Sequence, residues 1–166
     1  MKNRLIIILI LSMQTMCSFA GQGWLNQMIV SKAKGDLNNP ELTKSYDGFF
    51  KHHALVLFYA STCPHCHQFA PEIKRWAEHQ QAEVLALSFD NQPLPDFPHF
   101  LPATTEWVNA AYAGRSISYP ALFVVNKETH VLYPVAIGSM TSSELDIRMM
   151  SLIPKIKAYE DKRISA

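Results

Sequence analysis

The chain has 166 residues, of which 48% are hydrophobic and 17% are charged, and its formal net charge is +1. That composition is typical of one ordinary globular domain and excludes disordered and fibrous classes. Three cysteines are too few for a disulfide-rich scaffold. No basic face is evident in the chain, so nothing favours binding to nucleic acid.

The first twenty residues are typical of a secretory signal peptide. Lys2 and Arg4 form a short positive region, residues 5–11 are an apolar run, and residues 18–20 place small side chains at the cleavage positions. A transmembrane helix needs about 20 apolar residues, and this run is shorter. We therefore predict a cleaved signal, a periplasmic location and no stable membrane insertion afterwards. An uncleaved membrane anchor is the alternative.

The cysteines of the processed chain form one close pair. Cys17 lies in the predicted signal peptide, which leaves Cys63 and Cys66. Exported proteins normally use cysteines as staples across long loops, whereas a bridge closing so small a loop constrains little of the unfolded chain. The pair is therefore predicted to react rather than to stabilise, with an inert structural disulfide as the alternative.

The predicted domain follows an N-terminal extension. Residues 21–50 form this extension, with a short helix predicted over 24–34, and the domain occupies residues 51–166. The continuous apolar run 54–60 is typical of a strand that is covered on both faces. A helix follows this strand, and Ser61-Thr62 is expected to cap it.

The remainder of the domain alternates strands and helices. A second strand is predicted over 83–89, then an irregular, proline-rich surface segment over 91–102 and a short helix over 105–113. The apolar runs 121–125 and 131–137, separated by polar residues, predict a hairpin.

Two helices are predicted to pack apolar faces against the sheet. Thr141 and Glu144 have the spacing of a capping box at the start of the last helix. Pro71 is expected to kink the first helix, and Pro154 is expected to kink the last helix or end it early. The predicted core faces are Phe69, Ile73, Trp76 and Ala77, and then Leu145, Met149, Leu152 and Ile156. The order of elements predicts an α/β fold with a central mixed β-sheet flanked by helices.

The motif Cys63-Pro64-His65-Cys66 begins a helix directly after the buried strand. The first turn of a helix presents free N–H groups and the positive end of the helix dipole, so it favours a thiolate at Cys63. Pro64 fits this turn because its missing N–H costs nothing there, and a protonated His65 adds positive charge. Cys66 is expected to be more buried and to resolve a mixed disulfide formed by Cys63.

Two metal-dependent alternatives use the same residues. The motif continues into His67 and so also spells the c-type haem attachment pattern, in which that histidine would be the axial ligand. A zinc site would need two further ligands, and the remaining histidines show no paired spacing. We predict no metal, and no cofactor beyond a redox-active Cys63–Cys66 disulfide.

The chain resembles the thioredoxin superfamily over about residues 50–160. The match consists of the strand leading into the cysteine motif, Pro71 at the family's kink position, Tyr119-Pro120 at the cis-proline position, and residues 137–141 at the strand-end glycine and capped last helix. The resemblance implies a thioredoxin-like fold and thiol-disulfide oxidoreductase activity. It also implies that the Tyr119 backbone binds an extended substrate segment, while Pro120 keeps the space beside the sulfurs clear.

Some features depart from better-known branches of that superfamily. Leu57 stands where thioredoxins and DsbA-type oxidases usually carry a buried acid, so a proton relay for Cys66 is absent or comes from elsewhere. The segment between residues 89 and 119 is too short for the helical domain of DsbA-type oxidases. Residues 21–53 are too short for the dimerisation domain of DsbC-type isomerases.

A sharper resemblance is to the TrbB family, small periplasmic thiol-disulfide isomerases of F-type conjugative transfer systems. It rests on the predicted export of a single domain, the segment FYASTCPHC at residues 58–66 and the tryptophan-containing helix. This implies disulfide exchange on exported cysteine-containing proteins, including pilus-assembly components, and a membrane redox partner. A DsbA-like oxidase, a thioredoxin-like reductase and a non-catalytic pilus-assembly scaffold stay open as alternatives.

Overall fold

The computed structural model describes Tyr46 and residues 48–164 of the chain. The predicted signal peptide, Cys17 and the helix predicted over 24–34 lie outside the described residues. Within the described part, no helix is both long enough and apolar enough to cross a membrane.

Five strands and four helices make up the described residues. The helices are α1 (Phe49–His52), α2 (Pro64–Gln80), α3 (Thr105–Tyr112) and α4 (Ser142–Ile164). The strands are β1 (His53–Tyr59), β2 (Val84–Ser88), β3 (Leu101–Pro102), β4 (Ala121–Asn126) and β5 (Leu132–Ile137). They form one sheet in the order β3-β2-β1-β4-β5. Neighbours on the β2 side of β1 run parallel, and those on the β4 side run antiparallel. The predicted mixed sheet and the thioredoxin-like fold are confirmed.

The central strand β1 is buried along its whole length, as its continuous apolar run predicts. Leu55, Leu57 and Tyr59 belong to the core that α2 and α4 cover on one face of the sheet. Val56 and Phe58 belong to a second core on the opposite face, where α3 packs. The central strand is therefore covered on both faces of the sheet.

The residues just before β1 contribute to the core. Tyr46, Phe49 and Phe50 are buried, and Tyr46 and Phe50 each place a ring edge-to-face with Trp76, with ring centroids 5.8 Å apart. Such aromatic pairs stabilise beyond the area they bury. These aromatic contacts hold the residues before β1 against Trp76, in the C-terminal half of α2.

The last helix begins as predicted but ends later. The Thr141 N–H donates to Glu144 Oε2 at 2.8 Å, and the Glu144 N–H donates to Thr141 Oγ1 at 3.3 Å, which is a capping box. The expectation of an early end at Pro154 is wrong, because α4 continues to Ile164. Ile153 and Ile156, on either side of the proline, are buried in the core. Ile153 also takes the core position predicted for Leu152.

The segment over 91–102 is more ordered than its prolines predict. Leu94 is buried in the main core, and Leu101–Pro102 forms β3, which pairs parallel to β2. The expectation of an irregular surface segment is right for most of these residues and wrong at Leu94 and at β3. Pro102 is tolerated because β3 is an edge strand, where a missing donor breaks no ladder on the outer side.

Candidate active site

Cys63 is itself the capping residue of α2. The chain leaves β1 at Tyr59 and turns through a hydrogen bond from the Cys63 N–H to the Ala60 carbonyl, at 3.1 Å. Pro64 takes the first helical position, as predicted, and the Cys63 sulfur accepts the Cys66 N–H at 3.3 Å. The expectation that Ser61-Thr62 caps the helix is wrong, because the sulfur occupies that role. The reactive atom thus already accepts a donor from the helix terminus.

The two sulfurs differ in exposure. Both cysteines are free thiols; Cys63 is partly buried, and Cys66 is fully buried. Burial raises the pKa of Cys66 to about 12, with a further contribution from its hydrogen bond with Cys63 and a smaller one from the Asp90 charge. Cys66 is therefore a neutral thiol at ordinary pH, one helical turn behind an accessible partner.

Two exposed histidines flank the cysteines on the outside of α2. His65 Nδ1 lies 3.3 Å from Gln68 Oε1, and His67 Nε2 lies 2.6 Å from the Ser61 carbonyl oxygen. The His67 contact ties the helix to the turn before Cys63 and uses the nitrogen that a haem ligand would present. Among the described residues, no group of three or more His, Cys, Asp or Glu side chains is placed to hold a metal ion.

The Tyr119-Pro120 bond is cis, which matches the position implied by the resemblance. Ala121, the next residue, starts β4 and pairs with Phe58 of β1, so Pro120 lies at the end of the sheet from which the chain leads to Cys63. Its carbonyl accepts the Gly138 N–H at 2.8 Å. The Tyr119 ring is half exposed and packs on Phe89, with the ring centroids 5.5 Å apart.

Exposed apolar side chains lie close to Pro120 in the chain or on the neighbouring strand β5. Ile117, Tyr119 and Ile137 are exposed by 49%, 45% and 59%. Ile137 pairs with Ala121 across β4 and β5, and Ile117 lies on the loop that leads to the proline.

Tyr112 of α3 connects this loop to the buried cysteine. Its hydroxyl donates to the Ser118 carbonyl at 2.7 Å, just before Tyr119. Burial, and then the nearby Cys66, raise the pKa of Tyr112 to about 12. Sequence reasoning missed this residue, because an aromatic residue at the end of a short predicted helix carries no signal for a site.

Asp90 is a second residue that sequence reasoning missed. It follows β2, and its Oδ2 accepts both the N–H and the hydroxyl of Ser61, at 2.8 and 2.7 Å. The Ser88 hydroxyl donates to Oδ1 at 2.9 Å. Burial opposes ionisation of Asp90, but these hydrogen bonds outweigh it and lower the pKa. The sequence signal that points to Asp90 is Leu57, which stands where an acid is expected. An acid near the cysteines would then have to come from another part of the chain.

A family model described as "TraF: F plasmid transfer operon protein" matches residues 31–150. The chain belongs to this TraF family. Protein TrbB of Escherichia coli (strain K12) is 27% identical over 99 residues, which are 60% of this chain and 55% of that protein. The TraF-family chain thus spans about half the length of this curated relative.

Solved structures similar to this TraF-family member share modest identity. A thiol:disulfide interchange protein of the thioredoxin family from Chlorobium tepidum TLS is 18% identical, with a TM-score of 0.48 over 64% of this chain and 83% of that one. The MTB dsbF structure, in mixed oxidized and reduced forms, is 24% identical, with a TM-score of 0.42 over 64% of this chain and 84% of that one.

The predicted site residues of this TraF-family chain converge at one end of the sheet. Cys63, Pro64, His65 and Cys66 lie in the first turn of α2, after the carboxyl end of β1. Tyr119-Pro120 reaches the same end through the antiparallel pairing of β4 with β1. The two cysteines and Tyr119-Pro120 therefore lie at the same end of the sheet.

Proposed function

We propose that this TraF-family protein catalyses thiol-disulfide exchange on exported, cysteine-containing proteins. The observation that carries the proposal is the contrast between its two sulfurs. Cys63 is accessible and accepts a helix-terminal N–H, whereas Cys66 is buried and held as a thiol. An accessible nucleophile backed by a buried resolving thiol is the arrangement that exchange through a mixed disulfide requires.

Each step of the reaction balances with these two residues. The Cys63 thiolate attacks a substrate disulfide, a mixed disulfide forms, and one substrate sulfur leaves as a thiolate that takes up a proton. Cys66 then loses its proton and attacks Cys63 Sγ, so the substrate leaves with a second thiolate and two electrons have passed to it. In isomerisation, the freed substrate thiolate attacks the mixed disulfide first, and the pair ends reduced. No cofactor beyond the cysteine pair takes part.

The substrate site in this proposal is the surface around Pro120. An extended segment pairs with the Tyr119 backbone in the manner of strand addition, and Ile117 and Ile137 contact its apolar side chains. Pro120 has no N–H, so it presents no unpaired donor to the approaching sulfurs. The exposure of the three apolar side chains supports this role.

The cellular setting is part of the proposal. The TraF family description and the similarity to TrbB support a role in conjugative transfer. The signal-like residues 1–20 support export to the periplasm. Pilus-assembly proteins are then the substrates, and a membrane redox partner recycles the cysteine pair. Among isomerase, oxidase and reductase activities, we propose that the protein acts as an isomerase.

Single cysteine replacements test the proposal. Cys63→Ser is expected to abolish exchange with glutathione disulfide and with a scrambled disulfide protein, because the nucleophile is lost. Cys66→Ser is expected to accumulate a mixed disulfide at Cys63, detected as a mass increase that dithiothreitol removes. His79→Ser, at the far end of the same helix, is the control. Exchange at the wild-type rate by Cys63→Ser would refute the proposal and leave the scaffold alternative.

The reduction potential of the pair separates the directions of electron flow. Equilibration against glutathione is expected to give a value above about −150 mV for an oxidant or isomerase, whereas a value near −270 mV indicates a reductase. Refolding of a scrambled substrate without added oxidant then distinguishes isomerase from oxidase.

A further inference from the structure

Asp90 places a negative charge beside the turn that leads into the cysteine pair, through its hydrogen bonds with Ser61. We propose that Asp90, held by Ser61 and Ser88, is a positioning residue that keeps Cys66 in its thiol form and thereby prolongs the mixed disulfide on Cys63. This inference rests on the proposed exchange function and assigns a regulator of its second step.

Sheet geometry brings the carboxylate to the cysteine turn. Tyr59 and Ser88 are paired at the ends of the parallel strands β1 and β2, and the Phe89 N–H continues the ladder to the Tyr59 carbonyl at 2.9 Å. The residue after Phe89 therefore lies beside the residues that follow β1. Asp90 accepts two hydrogen bonds from Ser61 there, two residues before Cys63.

The turn that carries Asp90 is itself held in place. The Tyr59 hydroxyl donates to the Gln92 carbonyl at 2.8 Å, and the Gln92 N–H donates to the Ser88 hydroxyl oxygen at 3.2 Å. These bonds fix the turn, and the hydrogen bonds from Ser61 and Ser88 hold the carboxylate itself. A charge held in this way acts on its neighbours without the averaging that a mobile side chain undergoes.

The titratable groups around Cys66 differ in charge. Cys63 caps the helix that carries Cys66. Asp90 follows β2 and is bonded to Ser61, and Tyr112 ends α3. After burial, Cys63 and, least, Asp90 contribute to the raised pKa of Cys66. Burial and the nearby Cys66 keep Tyr112 a neutral phenol, and Tyr59 beside Asp90 also has a raised pKa because of burial. Asp90 has a lowered pKa and stays ionised. Its charge opposes a second anion nearby, and this adds to the effect of burial on Cys66.

The consequence falls on the step that ends the mixed disulfide. Cys66 must lose its proton to solvent before its sulfur attacks Cys63 Sγ, with the substrate sulfur leaving as a thiolate. A charge that disfavours the Cys66 thiolate slows this step. Formation of the mixed disulfide depends on Cys63 instead. A longer-lived mixed disulfide gives the substrate's own thiolates time to attack it, which is the condition for isomerisation rather than net reduction of the substrate.

Stopped-flow kinetics of the reduced protein with glutathione disulfide test the inference. Formation of the Cys63–glutathione disulfide and its resolution by Cys66 appear as two phases, and each is followed from pH 6 to 9. For Asp90→Asn we expect resolution at pH 7 to be about fivefold faster, with its pH profile displaced to lower pH and formation less affected. Asp96→Asn, which removes the same charge further along the same segment, is expected to match the wild type.

A second variant guards against misfolding of the first. Ser61→Ala keeps the charge but removes one of its anchors, so it is expected to shift resolution in the same direction by a smaller factor. A resolution phase that is unchanged or slower in folded Asp90→Asn, while the wild type exchanges, overturns this inference and leaves the proposed function standing. If Asp90→Asn is unfolded by circular dichroism, an unchanged phase in Ser61→Ala overturns it instead. Absence of exchange by the wild type overturns the proposed function itself.

Discussion

A buried polar cluster lies at the end of the sheet remote from the cysteines, and its contacts predict how much it stabilises the fold. Glu160 Oε1 accepts hydrogen bonds from Asn126 Nδ2 at 2.9 Å and from the Tyr133 hydroxyl at 2.9 Å, and His53 Nε2 lies 3.1 Å away. His53 Nδ1 lies 2.9 Å from the Phe49 carbonyl oxygen. Both ring nitrogens face oxygen acceptors, so both bonds form together only when the imidazole is protonated. Glu160 thus joins the end of α4 to β1, β4 and β5.

Replacing Glu160 by alanine removes the shared acceptor of these donors. His53 and Asn126 are buried, and each buried donor left without a partner costs about 1–3 kcal/mol. Water entering where the glutamate was partly exposed offsets some of this cost. We expect a net loss of about 3 kcal/mol in the free energy of unfolding, and a loss of about 1 kcal/mol for Glu160→Gln, which keeps an acceptor oxygen.

The same cluster predicts how stability depends on pH. Burial opposes ionisation of Glu160, but hydrogen bonds from Asn126, His53 and Tyr133 outweigh it and lower the pKa. A carboxyl whose pKa is lower in the folded state stabilises above its unfolded pKa, about 4.3, and this contribution is lost as the pH falls through the folded value. Below about pH 4, the wild type should therefore lose stability more steeply than Glu160→Gln.

Urea unfolding of the purified variants, followed by circular dichroism at pH 7 and pH 3.5, measures these changes. Glu128→Ala is the matched control, because it breaks a His52 ion pair that is exposed and is expected to cost less than about 1 kcal/mol. Exchange activity should persist in folded Glu160→Ala, since His53 and Tyr59 lie at opposite ends of β1, about 20 Å apart. A Glu160→Ala loss no larger than that of Glu128→Ala would refute the reasoning.

Three further predictions concern the site and the core. The raised pKa of Cys66 predicts that resolution of the mixed disulfide accelerates about tenfold per pH unit from pH 6 to 9 in the stopped-flow assay; a plateau within that range contradicts it. Tyr112→Phe removes the hydrogen bond to the Ser118 carbonyl and should raise KM for a peptide disulfide several-fold with little change for glutathione disulfide; equal effects on both would argue against a role in the loop. Phe69→Ala, fully buried beneath the sheet, should cost about 3–5 kcal/mol in urea unfolding, and a cost below about 1 kcal/mol would contradict its place in the core.

Local sequence patterns were sufficient for much of the fold. The apolar run over 54–60 predicted a strand buried on both faces, because such a run leaves no polar side for water. The spacing of Phe69 to Ala77 identified the buried face of α2, and Thr141 with Glu144 identified the start of α4. Cys63-Pro64 at a helix start could be placed because it depends on residues adjacent in the chain.

Patterns failed where packing outweighed a local preference. An early helix end at Pro154 was one of the two outcomes predicted there, yet α4 continues past it with Ile153 and Ile156 buried. The prolines around Leu94 predicted a surface segment, but this side chain reaches the core. Propensities describe a residue and its chain neighbours, and they contain nothing about which distant side chains are available to bury it.

The sequence by itself determined the close pair of cysteines and the helix terminus that carries it, because both depend on residues within one turn of each other. Only the tertiary structure decided what surrounds that pair. Asp90 lies beside Ser61 because β1 and β2 run parallel, and Tyr112 reaches Ser118 because α3 packs on the opposite face of the sheet. Charge and burial at Cys66 come from residues far away in the chain, and strand pairing and helix packing, which local patterns do not encode, bring them together.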